Sequence, residues 1–233
     1  MRRVPHIITL LVVCFLCSVN IEVLAKVRSQ EEKIDSLEKI LESETENNLR
    51  PDYILKILNE LCWELRGTDT EKALRYGKNG LTMAREYLKN STEQSEVLMY
   101  KKAIAISLNN IGVVYEFMND YEKALQYYSQ ALEKNEELGD QKGLAITLLD
   151  IADIHKMQKS YRQCIKYVDK SIKAAKQVNA KVELKTAYRL LSEVYELSGD
   201  YKNALKYHLD FTKLKDSLFS HESTQKIMKL ESD

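Results

Sequence analysis

Ile111-Gly112-Val113-Val114-Tyr115, Ile151-Ala152-Asp153-Ile154-His155 and Leu191-Ser192-Glu193-Val194-Tyr195 stand 40 residues apart in this 233-residue chain. Each is followed at the same offset by an aromatic, two variable residues, a small residue and an aliphatic one: Tyr121 to Leu125, Tyr161 to Ile165 and Tyr201 to Leu205. A fixed period of about 20 to 50 residues marks a stacked array, in which one supersecondary unit cannot bury its apolar face without its neighbours.

Within a unit the apolar spacing is helical. Leu108, Ile111, Val114 and Tyr115 recur at i, i+3, i+6 and i+7, one face of a helix with a period of about 3.6 residues. After Met118-Asn119-Asp120 a second such face begins with Tyr121, Ala124, Leu125, Tyr128, Ala131 and Leu132. Each unit is therefore a pair of antiparallel helices. Small residues fall where the helices must approach closely: Gly112, Ala152 and Ser192 on the first, Ala124, Cys164 and Ala204 on the second. Only 7 Gly and 2 Pro occur, too few breakers for a loop-rich or all-β fold, so the expected class is all-α.

The order of a large apolar residue, Leu-Gly, Tyr, Ala, an aromatic and a further Ala resembles the tetratricopeptide repeat. Leu108, Ile111, Gly112, Tyr115, Tyr121, Ala124, Tyr128 and Ala131 fill its positions in one unit. The next is looser, with Leu148, Ile151, Ala152, His155, Tyr161, Cys164, Val168 and Ser171; the last has Tyr188, Leu191, Ser192, Tyr195, Tyr201, Ala204, His208 and Phe211. The resemblance implies a right-handed α-solenoid of about four helix pairs. A period of 40 residues, longer than the usual 34 or so, is similar to the extended subclass of these repeats, as are the Leu138-Gly139-Asp140-Gln141-Lys142-Gly143 turn and the missing terminal Pro. Such arrays resemble those of kinesin light chains and the exported sensor regions of bacterial signalling proteins.

The expected layout is a signal peptide over 1–25 and a capping helix over 26–50, where Ile34, Leu37, Ile40 and Leu41 have helical spacing. A degenerate first unit covers 51–90, with Leu58, Leu61, Cys62 and Leu65 on its first helix. Leu65 and Ala73 lie one residue closer together than Tyr115 and Ala124, which predicts a shortened turn. The polar stretch at 91–104 reads as a lengthened inter-repeat loop and a helix start. Units two to four follow at 105–144, 145–184 and 185–218, and 219–233 reads as a polar helix or the start of a coiled coil. In the bacterial signalling proteins, sequence similar to Asp216-Ser217-Leu218-Phe219 leads into a membrane helix and an output domain.

Arg2 and Arg3 precede an apolar run from Ile7 to Val19, and Val23-Leu24-Ala25 supplies the small residue that signal peptidase needs. The run falls short of the roughly 20 residues that span a bilayer. Cleavage and export, to a periplasm, is thus preferred over an uncleaved anchor in the inner membrane. Cys14 and Cys17 follow Val13 and Leu16, which are too large for a lipidation site. Cys62 and Cys164 occupy small-residue core positions and are expected to be thiols.

Charge is balanced at 35 basic and 35 acidic residues, which gives no electrostatic footprint for nucleic acid. No phosphate loop, nucleophile motif or metal spacing is present, so no catalytic residue, cofactor or metal is assigned. His155 and His208 occupy aromatic positions of the repeat, and His155 and Asp153 are too close along a helix to face one another. Binding is what remains. First helices line the concave surface of such an array. Their non-core residues Asn109, Val113, Glu116, Leu149, Asp153, Lys156, Arg189, Glu193 and Glu196 are the candidate partner-binding set, and Ile106, Phe117, Ile146, Met157, Thr186 and Leu197 share the surface. The expected partner is a protein or peptide. The expected function is an exported, non-catalytic binding scaffold, with a sensor segment of a membrane-bound signal-transduction protein as the alternative.

Overall fold

The computed structural model describes residues 27–43 and 50–232, and the proposed signal segment lies outside them. The described residues form nine helices and no strand. They are α1 (27–42), α2 (Pro51–Leu65), α3 (Thr70–Asn90), α4 (Gln94–Phe117), α5 (Tyr121–Leu138), α6 (Gln141–Met157), α7 (Tyr161–Gln177), α8 (Lys181–Leu197) and α9 (Tyr201–Ser232). From α2 onward each helix packs against the next, so the pairs α2/α3, α4/α5, α6/α7 and α8/α9 stack in sequence order. The first helices α2, α4, α6 and α8 also touch one another, and form the inner layer of an all-α solenoid.

The 40-residue register is built at the helix ends. Asn119, Lys159 and Gly199 sit at the same place in three successive pairs, all with left-handed backbone at φ 58°, 58° and 80°. The following amide then donates back to a carbonyl five residues earlier, Asp120 to Tyr115, Ser160 to His155 and Asp200 to Tyr195, closing the first helix. Gly139 and Asn179 do the same between pairs. In the first pair no residue of this turn has positive φ, and Asp69 N donates to Leu65 O only four residues back. The residue missing from that unit is the left-handed one. Asp69, Asp120, Asp140 and Asp200 then cap α3, α5, α6 and α9 by accepting backbone N–H bonds of 2.9 to 3.2 Å.

Close packing uses the small positions. The Tyr128 ring lies on Gly112, where an added Cβ would come within 2.6 Å of two ring carbons. Tyr128 is fully buried, and its hydroxyl donates to Glu116 Oε2 at 2.6 Å. Cys62 and Cys164 are buried free thiols in different parts of the core, pushed up to about 12 by burial. His155 stacks on Tyr167 at 5.2 Å, with its Nδ1 buried and unpaired, and burial lowers it.

Several boundaries differ from the sequence reading: units three and four, for instance, begin at Gln141 and Lys181 rather than at 145 and 185. Within 91–104 the loop is shorter than expected and the helix start earlier: α4 begins at Gln94, leaving Ser91, Thr92 and Glu93 between helices. Its Tyr100, Ile104 and Ala105 are buried, so the apolar face of unit two extends a further turn and a half backward. Gly143 belongs to α6 rather than to the turn, where it faces the Asn135 side chain. At the other end α9 passes through 218 and 219 without a break. Helix α4 is long and apolar enough to cross a bilayer by length and composition, but most of it is buried among its neighbours, as a central helix of an array must be. Residues 27–42 lay Ile34, Leu37, Ile40 and Leu41 on the α2/α3 core, and Lys33 pairs with Glu60 and Glu64 of α2.

Candidate binding face

The inner layer carries two different surfaces. Toward the C-terminal end, α4, α6 and α8 bring charges together. Lys156 pairs with Asp153 at 2.7 Å on its own helix and with Glu193 of α8 at 3.0 Å, and Arg189 pairs with Glu193. Burial lowers Lys156, but the two carboxylates outweigh it and raise its pKa. Burial likewise raises Glu193, and the two cations more than reverse this. Glu116 stays raised by burial despite the Tyr128 bond. Asp150 as a whole residue is half-buried, but its carboxylate loses its hydration and is pushed up to about 7; Asn109 Nδ2, donating at 2.8 Å, opposes this.

Of the nine residues singled out from sequence, Asn109, Val113 and Leu149 are buried. Val113 and Leu149 belong to the core clusters rather than to the open surface, whereas Asn109, though mostly covered, lines the space between α4 and α6. Asn109 has both amide atoms engaged, donating to Asp150 and accepting from Thr147 Oγ1 at 2.8 Å. Glu116, Asp153, Lys156 and Glu193 are half-buried within the charge network, and Arg189 and Glu196 are exposed. The structure therefore brings five of the nine, Glu116, Asp153, Lys156, Arg189 and Glu193, into one cluster.

Toward the N-terminal end the surface is apolar and concave. A cavity of about 460 Å³ lies between α2 and α4, floored by Leu55, Leu98, Met99, Ala103 and Ile106, with Asp52, Lys56, Asn59, Ser95 and Lys102 around it. A second, of about 250 Å³, opens between α4 and α6 and shares Lys102 and Ile106 with the first, so the two form one groove. Leu98 is 45% exposed, Ile106 51% and Ile146 37%. Beneath the groove a polar ladder fixes the helices relative to one another. Ser107 Oγ donates to Asn59 Oδ1 at 2.9 Å, Asn110 Nδ2 to Asn59 O at 3.1 Å, and Asn135 Nδ2 to Thr147 Oγ1 at 3.3 Å.

Lys56, Leu98, Met99 and Lys102 were absent from the sequence-based set. Three of them lie in the segment that polarity marked as loop; Leu98, Lys102 and Ile106, at i, i+4 and i+8, carried the helical signal that would have found them. Among the described residues no cluster of His, Cys, Asp and Glu is arranged to hold a metal.

Two tetratricopeptide repeat family models match the sequence, at residues 105–138 and 143–215. No curated protein matches it. Among solved structures, aspartyl phosphate phosphatase F from Bacillus subtilis is similar, with a TM-score of 0.66 at 15% identity over 81% of this chain and 49% of that one. The apo form of RapI gives 0.62 at 16% identity over 82% and 50%, and BtubC from P. vanneervenii 0.53 at 14% over 81% and 92%. The chain thus spans about half the length of the first two. At these identities the likeness is one of fold. Repeat positions filled in register, helix pairs stacked at the same period and the two matching models agree: this chain carries tetratricopeptide repeats at residues 105–138 and 143–215.

Proposed function

We propose that this protein is a non-catalytic scaffold that holds a protein or peptide partner along the inner face of α2, α4 and α6. The observation that carries this is the continuous groove over Leu98, Ile106 and Ile146, large aliphatic side chains left exposed along the inner layer. Exposed contiguous apolar surface of this kind marks an interaction site, and a groove between parallel inner helices suits an extended or helical segment. The polar ladder below holds the groove in shape before binding, which reduces the ordering cost. Affinity capture from the native host with the chain as bait tests the reading. A partner retained by the wild type and lost by Ile146→Arg at equal helicity is the expected result. Equal retention by both would contradict it.

The same reading includes export. Its support is the sequence of residues 1–25, two arginines, an apolar run and Ala25 before Lys26, which fits a cleaved signal peptide leading to a periplasm. N-terminal sequencing of the protein recovered from its host should begin at Lys26. A chain that still begins at Met1 or Arg2 in the membrane fraction would instead support an anchored form.

A further inference from the structure

The groove and the charge network divide the inner face electrostatically. Around the network, carboxylates outnumber cations: Glu116, Asp150, Asp153 and Glu193 surround Lys156 and Arg189, and both of these cations are already paired. Around the groove the balance is reversed. Asp52 is held by Arg50 at 2.7 Å, and Asp140 is occupied as the cap of α6, accepting from Lys142 N and Gly143 N. Lys142 reaches Glu183 at 3.8 Å. Lys56 and Lys102 remain. One stands on α2 and the other on α4, both exposed, both at the margin of the same apolar floor, and among the described residues neither has an ion-pair partner.

Resting on the groove reading, we propose that the occupant is an acidic amphipathic segment of a partner protein, its apolar side chains on the Leu98–Ile106 floor and its carboxylates at Lys56 and Lys102. Two unpaired ammonium groups beside an apolar surface select a ligand carrying both properties. A basic segment would bring like charges together at the groove and is disfavoured there. The polarity of the whole face also orients the ligand. Its acidic part lies over α2 and α4, because continued toward α6 and α8 it would meet the carboxylates of the network. Cavities of about 460 and 250 Å³ accommodate a few large side chains each, the scale of a short helix or strand rather than of a whole domain.

Selection from a phage-displayed library of random dodecapeptides on the immobilised chain tests this, run in parallel on Lys56→Glu/Lys102→Glu and on Ile106→Arg, each checked for unchanged helicity. The expected result is enrichment of peptides rich in both Asp or Glu and aliphatic residues on the wild type, with the acidic preference lost on the double reversal. A synthetic copy of one selected peptide should bind at least tenfold more weakly to the double reversal, and its affinity for the wild type should fall with added salt. Apolar peptides without an acidic preference, still dependent on Ile106, would overturn the charge assignment while leaving the groove in place. Selection indifferent to Ile106→Arg, or yielding no enriched sequence, would overturn both.

Discussion

Gly112 and Tyr128 show how one position of the repeat is decided. The aromatic ring occupies the space a side chain would take, and a Cβ there would approach two ring carbons to 2.6 Å. Gly112→Ala is expected to destabilise the chain by about 1 to 3 kcal/mol, since the ring is fully buried and has no room to retreat. Urea unfolding measures it, and a change within error would mean that the two helices slide apart freely. Asp150 makes a different prediction. Its folded pKa of about 7 lies above the ordinary carboxylate value, so the folded state binds the proton more tightly than the unfolded chain. Its contribution to stability is therefore largest below the unfolded value and is lost as pH rises through the folded one. Wild type should gain on Asp150→Asn as pH falls from about 8 to 5. A urea midpoint difference that stays flat over that window would show the carboxylate to be hydrated.

At the scale of elements, most of the fold was legible because the repeat supplies its own internal alignment. Tyr121, Tyr161 and Tyr201 open α5, α7 and α9 at the positions their spacing predicts. The errors lie where no second copy of the pattern constrains the reading. The start of α4 carries exposed Gln94, Ser95 and Glu96, whose polarity signals a loop, yet their neighbours Tyr100 and Ile104 are buried against the rest of the unit. Asn109 lines the groove as its place on an inner helix suggests, but what holds it was not legible: its partners Thr147 and Asp150 lie on the next repeat, and nothing in its own helix announces them. Lys56 and Lys102 were invisible for a related reason: each is an ordinary solvated lysine until α2 and α4 are placed side by side. Helix α1 belongs to the same scale. With Leu37 half-buried on the α2/α3 core, Leu37→Ala should cost about 1 to 2 kcal/mol. Thermal melting reports this, and an unaltered transition would mean that α1 does not contribute to the cover of the first unit.

For the molecule as a whole, stacking explains both the stability and the binding surface. Each pair covers the next, so the first helices are forced into a common inner layer, and whatever they do not bury against one another becomes one continuous face. That face is apolar over α2, α4 and the start of α6, with Lys56 and Lys102, unpaired among the described residues, on α2 and α4, and carboxylate-rich over the ends of α4, α6 and α8. Side-chain footprinting by hydroxyl radicals, performed on the chain alone and with its captured partner, tests this division most directly. Leu98, Ile106 and Ile146 should lose their labelling on binding, while Leu205, Leu209 and Phe219, which are also exposed but lie on α9, should keep theirs. Protection on α9 with the three groove residues still labelled would contradict the account.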